Sequence, residues 1–185
     1  MGADHKHRVC TYLEAENAIK LHEKIYVNDC FCRGPARDGK AAWEYCGHKV
    51  ETCMGFHPPE SDEPGFSFKV ISREEALAMF EDWKTQGHLF RFMVDESWLC
   101  FCCPCGCEFF RNKEGKRVED SCDKGLYIEK TEAETCTLCG NCIDVCPYDA
   151  RAIDDGMMKV ASEKCYGCSI CEHICQESAI TMISR

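Results

Sequence analysis

The sequence predicts an α+β protein in two parts: a small, cysteine-rich α/β region over residues 1–123 and a compact repeat over 124–185. Three observations carry this reading. Two capping boxes each open an apolar stripe at helical spacing, short β-prone runs lie between and after them, and from Lys124 onward the cysteines fall into a pattern that recurs after 29 residues.

In the first region, "TYLEAENAIKLHEK" begins with Thr11 and Glu14 at the T-x-x-E spacing of a capping box, and Leu13, Ala18, Leu21 and Ile25 mark one face of the predicted helix. The "IYV" run that follows delivers the chain to Cys30. Ser72 and Glu75 form the second box, Ala76, Leu77, Phe80 and Trp83 the stripe behind it, and Gly87 stands where a C-terminal cap belongs. "HLFRFMV" reads as a strand leading into Cys100, and "GFHPPESDEPGF" as a loop by its prolines and flanking glycines. In the second region each cysteine quartet sits in a unit of strand, ligand loop and short helix. The strands are "LYIE", "MMKV" and "ITMI", and Asp155-Gly156 is a turn signal. Each half is too small to bury a core alone, so the halves must pack on one another or around something inorganic.

The chain has 185 residues and 19 cysteines, a density that signals disulfides or metal. Disulfides need an oxidising compartment. The start, "MGADHKHRVC", has no apolar stretch of signal-peptide length, and no window approaches the ~18 apolar residues of a membrane span. The expectation is a cytoplasmic, reduced protein whose thiols are mostly metal ligands; the odd cysteine total rules out complete intramolecular pairing in any case. A formal net charge of -10 argues against nucleic-acid binding. It suits either docking to a redox partner with a basic patch or a plain solvated surface.

The chemistry is concentrated in "CTLCGNCIDVCP", which is C-x2-C-x2-C-x3-C-P, and in "CYGCSICEHICQ", which repeats it with Gln176 in place of the proline. Three cysteines at three-residue intervals wrap a loop around three iron corners of a cubane, while the fourth points away to the other cluster. The expected ligand sets are therefore Cys136, Cys139, Cys142 and Cys175 for one 4Fe-4S cluster, and Cys165, Cys168, Cys171 and Cys146 for the second. Zinc favours two C-x2-C pairs separated by a longer spacer, which this pattern is not.

On these motifs the last 60 or so residues resemble the bacterial-type two-cluster ferredoxins. The resemblance implies a ferredoxin-like domain with pseudo-twofold symmetry, antiparallel hairpins and two clusters close enough for fast internal electron transfer. Two departures stand out. "CPYDARAI" is longer than the simple turn after the fourth cysteine, and Gln176 leaves the turn after Cys175 less rigid than a proline would.

Eleven cysteines lie outside these quartets. "NDCFCRGP" carries Cys30 and Cys32 before Arg33, Cys46 and Cys53 follow, and "CFCCPCGC" packs Cys100, Cys102, Cys103, Cys105 and Cys107 into eight residues. The set resembles, more loosely, a group of cluster-binding proteins with an upstream C-x-C-R segment and a later C-x-C-C stretch. Residues two apart on an extended segment face the same way, so the two segments can close a site from opposite sides. The expectation is at least one further iron–sulfur centre, with a structural zinc as the alternative. His48 and His57 are candidate replacements for a thiolate, and Arg33 a candidate donor to cluster sulfur. Cys10 and Cys122 read as isolated thiols.

No P-loop, no G-x-G-x-x-G and no nucleophile elbow is present. The sequence therefore points to low-potential electron transfer, on the order of -400 mV for all-thiolate ferredoxins. The alternative is a reductase subunit whose N-terminal centre binds substrate and is fed by the ferredoxin part, and a third possibility is a thiol-based metal store or oxidant sensor.

Overall fold

Both capping boxes close reciprocally, and each sets where a helix begins. In the computed structural model, which describes residues 7–30, 47–58, 68–93, 95–107, 110 and 122–185, the Thr11 hydroxyl accepts from the Glu14 amide while the Glu14 carboxylate accepts from the Thr11 amide. Helix α1 runs from there over Tyr12–Lys20. Ser72 and Glu75 repeat the arrangement at the head of α2, Arg73–Thr85. Gly87, at φ +72°, follows the end of α2 in the left-handed conformation that glycine adopts without strain.

The apolar face of α1 differs from the expected one. Tyr12, Ala15 and Ile19 are buried, whereas Leu13 and Leu21 are 64% and 80% exposed and Ile25 belongs to the next strand. The helix stops at Lys20, so a stripe counted through to Ile25 overruns it. Helical spacing from Tyr12, whose hydroxyl donates to the His88 carbonyl at 2.7 Å, selects the true face. On α2 the buried residues are Ala76, Phe80 and Trp83, with Leu77 partly buried beside them.

Seven strands form one sheet: β1 His7–Cys10, β2 Lys24–Asp29, β3 Glu51–Gly55, β4 Lys69–Ser72, β5 Leu89–Met93, β6 Trp98–Cys102 and β7 Cys122–Asp123. Their order is β4-β2-β3-β6-β5-β1-β7, antiparallel except for the short parallel β1–β7 pair. Period-two alternation gives the sheet two unlike faces. Phe90, Phe101 and Leu99 belong to the face under the helices: Phe80 lies 4.9 Å from Phe90 and Trp83 5.8 Å from Phe101, ring centre to ring centre. The opposite face carries Arg91, Cys100, Cys102 and Cys53, because Cys100 is paired across the ladder with Cys53 on one side and Arg91 on the other.

Residues 122–185 add two hairpin-like pairs. Strand β8 Tyr127–Thr131 pairs with β11 Ile180–Ser184, and β9 Arg151–Asp154 with β10 Met157–Val160. Asp155 and Gly156 both have positive φ, the backbone a tight β9–β10 turn requires. Two short helices, α3 Asn141–Asp144 and α4 Ile170–Ile174, follow the two cysteine loops. The repeat is visible in the backbone itself: the left-handed residues Leu138, Gly140 and Asp149 correspond, 29 positions on, to Gly167, Ser169 and Ser178.

The second half of the repeat shares the core of the sheet. Tyr166, Cys168 and Ile170 join the same buried cluster as Val9, Phe90 and Cys102. The Tyr12 amide donates to Ser169 Oγ at 2.8 Å, and the Gly125 amide to the Tyr166 carbonyl at 2.9 Å.

Replacing Ser72 by Ala leaves the α2 amide of Glu75 without its capping oxygen. The expected loss is about 1 kcal/mol, read as a lower urea midpoint with an unchanged slope.

Candidate metal-binding thiol sites

Seventeen cysteines lie among the described residues, and none of them is paired with another in a disulfide. In the C-terminal region one cleft, about 370 Å³ with its mouth included, is lined by Cys146, Cys165, Cys168 and Cys171 together with Tyr148, Arg151, Tyr166 and Met182. Cys175, which is adjacent in the sequence pattern, is not among its lining residues, whereas Cys146 from the first quartet is. Burial pushes the Cys168 thiol up to about 12, with the neighbouring Cys146 and Cys165 adding to it. Burial raises Cys171 as well, reinforced by Cys168 and opposed by Arg151. Buried thiols of this kind release their protons to solvent when a metal cation binds the sulfur.

The donor set of that cleft suits an anionic group held by thiolates. Arg151 is 5% exposed; its guanidinium meets Glu129 at 2.6 Å and Thr131 at 2.8 Å, while Nε is buried with no hydrogen-bond partner among the described residues. The Tyr148 hydroxyl is likewise buried without one. Backbone amides complete the setting in both halves: Ala150 donates to Cys146 Sγ at 3.4 Å and Ala179 to Cys175 Sγ at 3.3 Å, positions again 29 residues apart. Such N–H···S bonds stabilise negative charge on the sulfur. The two quartets differ in exposure. Cys139 is exposed and Cys136 half-exposed, whereas Cys165 and Cys168 are buried against the sheet.

The N-terminal thiols fall into three groups. On the face turned away from α1 and α2, Cys53 lies within hydrogen-bonding reach of Cys100 and Cys30, and His7 Nδ1 is 3.8 Å from Cys100 Sγ. The bond between Cys53 and Cys100 holds the Cys100 thiol well below its usual range and Cys53 well above it. On the same face Arg91, 1% exposed, donates through Nε to Cys102 Sγ at 3.1 Å and through Nη2 to Cys107 Sγ at 3.0 Å. Burial disfavours its charge, but Cys102, Cys107, Cys122 and Cys100 more than offset this, so the guanidinium stays protonated. The third group is His48, Cys103 and Cys105, whose ligand atoms all lie within 4.8 Å of one another.

The run "CFCCPCGC" explains this division. Cys100 and Cys102 lie on strand β6 and share a face. The chain then reverses: the Cys107 and Gly106 amides donate to the Cys103 carbonyl at 2.9 and 3.3 Å, a turn entered through Pro104. That turn returns Cys107 to Arg91 and leaves Cys105 exposed.

An aromatic pair links the two regions. Tyr148 and Tyr166 stack at 4.3 Å and 15°, with Phe110 5.6 Å from Tyr148. The Tyr148 hydroxyl is pushed well up by burial and then by Cys168 on one side and Cys122 on the other, which places it between the second quartet and the Arg91 thiols.

Of the expected N-terminal ligands, Cys32 and Cys46 lie outside the described residues, as does Arg33. Cys10 is fully buried in the core. Cys122 is not isolated: parallel pairing of β7 with β1 brings it to Arg91. His57 stacks edge-on with His22 at 5.8 Å. Sequence reasoning missed Arg91, although a lone charge inside "LFRFM" was the available signal, and it missed Tyr148, hidden in the insertion after Cys146.

Residues 128–176 match the 4Fe-4S dicluster domain family and form such a domain. A stretch of 58 residues, 30% of this chain, is 36% identical to the archaeal-type glutamate synthase (NADPH) of Thermotoga maritima over 11% of that protein, and the Thermotoga sp. (strain RQ2) enzyme matches equally. Another 49-residue alignment, 26% of this chain, is 43% identical to one component of the Na(+)-translocating ferredoxin:NAD(+) oxidoreductase complex of Acetobacterium woodii, over 15% of that component's length. The chain therefore matches only a small part of each relative. No helix among the described residues is long and apolar enough to cross a membrane.

Gly167, at φ +77° in the loop between Cys165 and Cys168, has the Tyr127 carbonyl where a Cβ would sit. Gly167→Ala must displace backbone, and should cost at least about 3 kcal/mol in denaturant unfolding; Gly140→Ala, strained but with open space around it, should cost less.

Proposed function

We propose that the chain is a low-potential electron-transfer protein with two 4Fe-4S clusters in residues 124–185 and at least one further iron–sulfur centre in residues 1–123. The observation that carries this reading is the cleft lined by Cys146, Cys165, Cys168 and Cys171. It gathers three thiols of the second quartet with the last thiol of the first, the exchange expected of a two-cluster C-x2-C-x2-C-x3-C repeat. By the same logic Cys136, Cys139, Cys142 and Cys175 hold the other cluster. When bound, the clusters supply reversible one-electron chemistry.

The protein's own residues divide the remaining work. Exposed Cys139 puts the first quartet at the surface, where a partner can approach, and the net charge of -10 favours a partner with a basic patch. The relatives are a glutamate synthase and a component of a ferredoxin:NAD(+) oxidoreductase complex. By analogy, the partner here is a larger redox enzyme. Cys165 and Cys168 of the second quartet are buried, Cys168 within the core of the sheet, and the stacked Tyr148 and Tyr166 shield them from water. Cys30, Cys53, Cys100, Cys102 and Cys107 are the described residues that hold the N-terminal centre. Arg91 balances their charge and keeps their sulfurs facing one another.

Anaerobically purified protein is expected to be brown, to bleach under a low-potential reductant and to recover its colour on reoxidation. A visible spectrum that the reductant leaves unchanged would contradict the proposal.

A further inference from the structure

The five cysteines of "CFCCPCGC" do not all face the same way. Cys100 and Cys102 stand on the side of the sheet away from α1 and α2, beside Cys53 and Arg91. His48, the neighbour of Cys103 and Cys105, packs instead among groups from the helix side: its ring lies 5.6 Å from Trp83 and 4.4 Å from His88. Trp83 in turn rests edge-on against Phe101, which is 1% exposed. The two sets thus have different neighbours: Cys53 and Arg91 beside the first, and His48, with Trp83 and His88 around it, beside the second.

The spacing of the second set is that of ligands on a single ion. Zinc binds sulfur at about 2.3 Å and histidine nitrogen at about 2.0–2.1 Å, so two ligand atoms on one ion lie no more than about 4.6 Å apart. The three candidate atoms lie mutually within 4.8 Å, so a slight closure brings them onto one ion. A cubane spreads its thiolates further, because each binds a different iron. Two thiolates and an imidazole are also a borderline-soft donor set that suits zinc.

We propose that His48, Cys103 and Cys105 bind one zinc ion, separate from every iron–sulfur centre of the protein. Cys103 is fully buried and His48 half-buried, which anchors the ion, while Cys105 is exposed and brings the site to the surface. The ion ties the start of the turn at 103–107 to the segment that precedes β3, while Cys107 is held separately by Arg91. This assignment stands on its own geometry and survives even if the electron-carrier reading fails.

The test is metal analysis of the full-length protein, purified anaerobically from cells supplied with both iron and zinc, alongside Cys105→Ser and His48→Gln. Wild type is expected to hold one zinc per chain. Each variant should lose it about tenfold or more, with iron content and visible absorption unchanged, which also shows that the variants fold. Zinc-edge X-ray absorption of the wild type should require both sulfur and nitrogen neighbours. The assignment is overturned by background zinc in the wild type, by zinc retained in both variants, by iron lost in step with the substitutions, or by an all-sulfur zinc shell.

Discussion

Everything in this structure is arranged around the burial of thiols. Cys102, Cys103 and Cys107 are each no more than 3% exposed, and Cys168 and Cys165 no more than 9%. A buried sulfur that must become a thiolate needs a cation beside it, because an isolated charge in a low-dielectric interior is strongly disfavoured. The fold meets that need in two ways: it spends a buried arginine, Arg91, on the sheet, and it gathers sulfurs into groups that metal can neutralise. A hydrophobic core alone does not call for an arginine hydrogen-bonded to two cysteines.

The sheet makes this arrangement possible by keeping its faces apart. One face is an ordinary aromatic core beneath two capped helices, in which Phe101 packs edge to face with Phe90 and Trp83, and Phe80 lies tilted against Phe90. That packing frees the other face for chemistry and holds Cys53, Cys100 and Arg91 in a fixed register across three strands. The C-terminal repeat then docks through β1 and α1, placing Cys168 in the shared core and leaving Cys139 at the surface. Exposure at one end and burial at the other give the molecule a direction. Rigid supports of this kind suit electron transfer, which works best when little must reorganise.

The parts legible in the sequence are those governed by local spacing. Two capping boxes located two helix starts because the hydrogen bonds that cap a helix span only three residues. The C-x2-C-x2-C-x3-C repeat identified the dicluster domain for the same reason. What the sequence concealed depends on contacts between distant segments. Nothing near Cys53 announces that Cys100 lies across the ladder from it, and Cys122 looked solitary until parallel pairing with β1 set it beside Arg91. The face of α1 was misread because the apolar residues after Lys20 belong to the loop and strand that follow the helix. Which cysteines of "CFCCPCGC" act together depends on where strand β6 ends, at Cys102, and on the turn that begins at Cys103, and spacing alone does not fix either.

Native mass spectrometry of the intact protein, sprayed without exposure to air, addresses the role of the thiols most directly, since it weighs what they hold. Thiols serving as ligands predict a mass above that of the bare polypeptide by at least two 4Fe-4S units, together with further metal that leaves on acidification. A species at the polypeptide mass, or lighter by the hydrogens lost to disulfides, would contradict the account at its root.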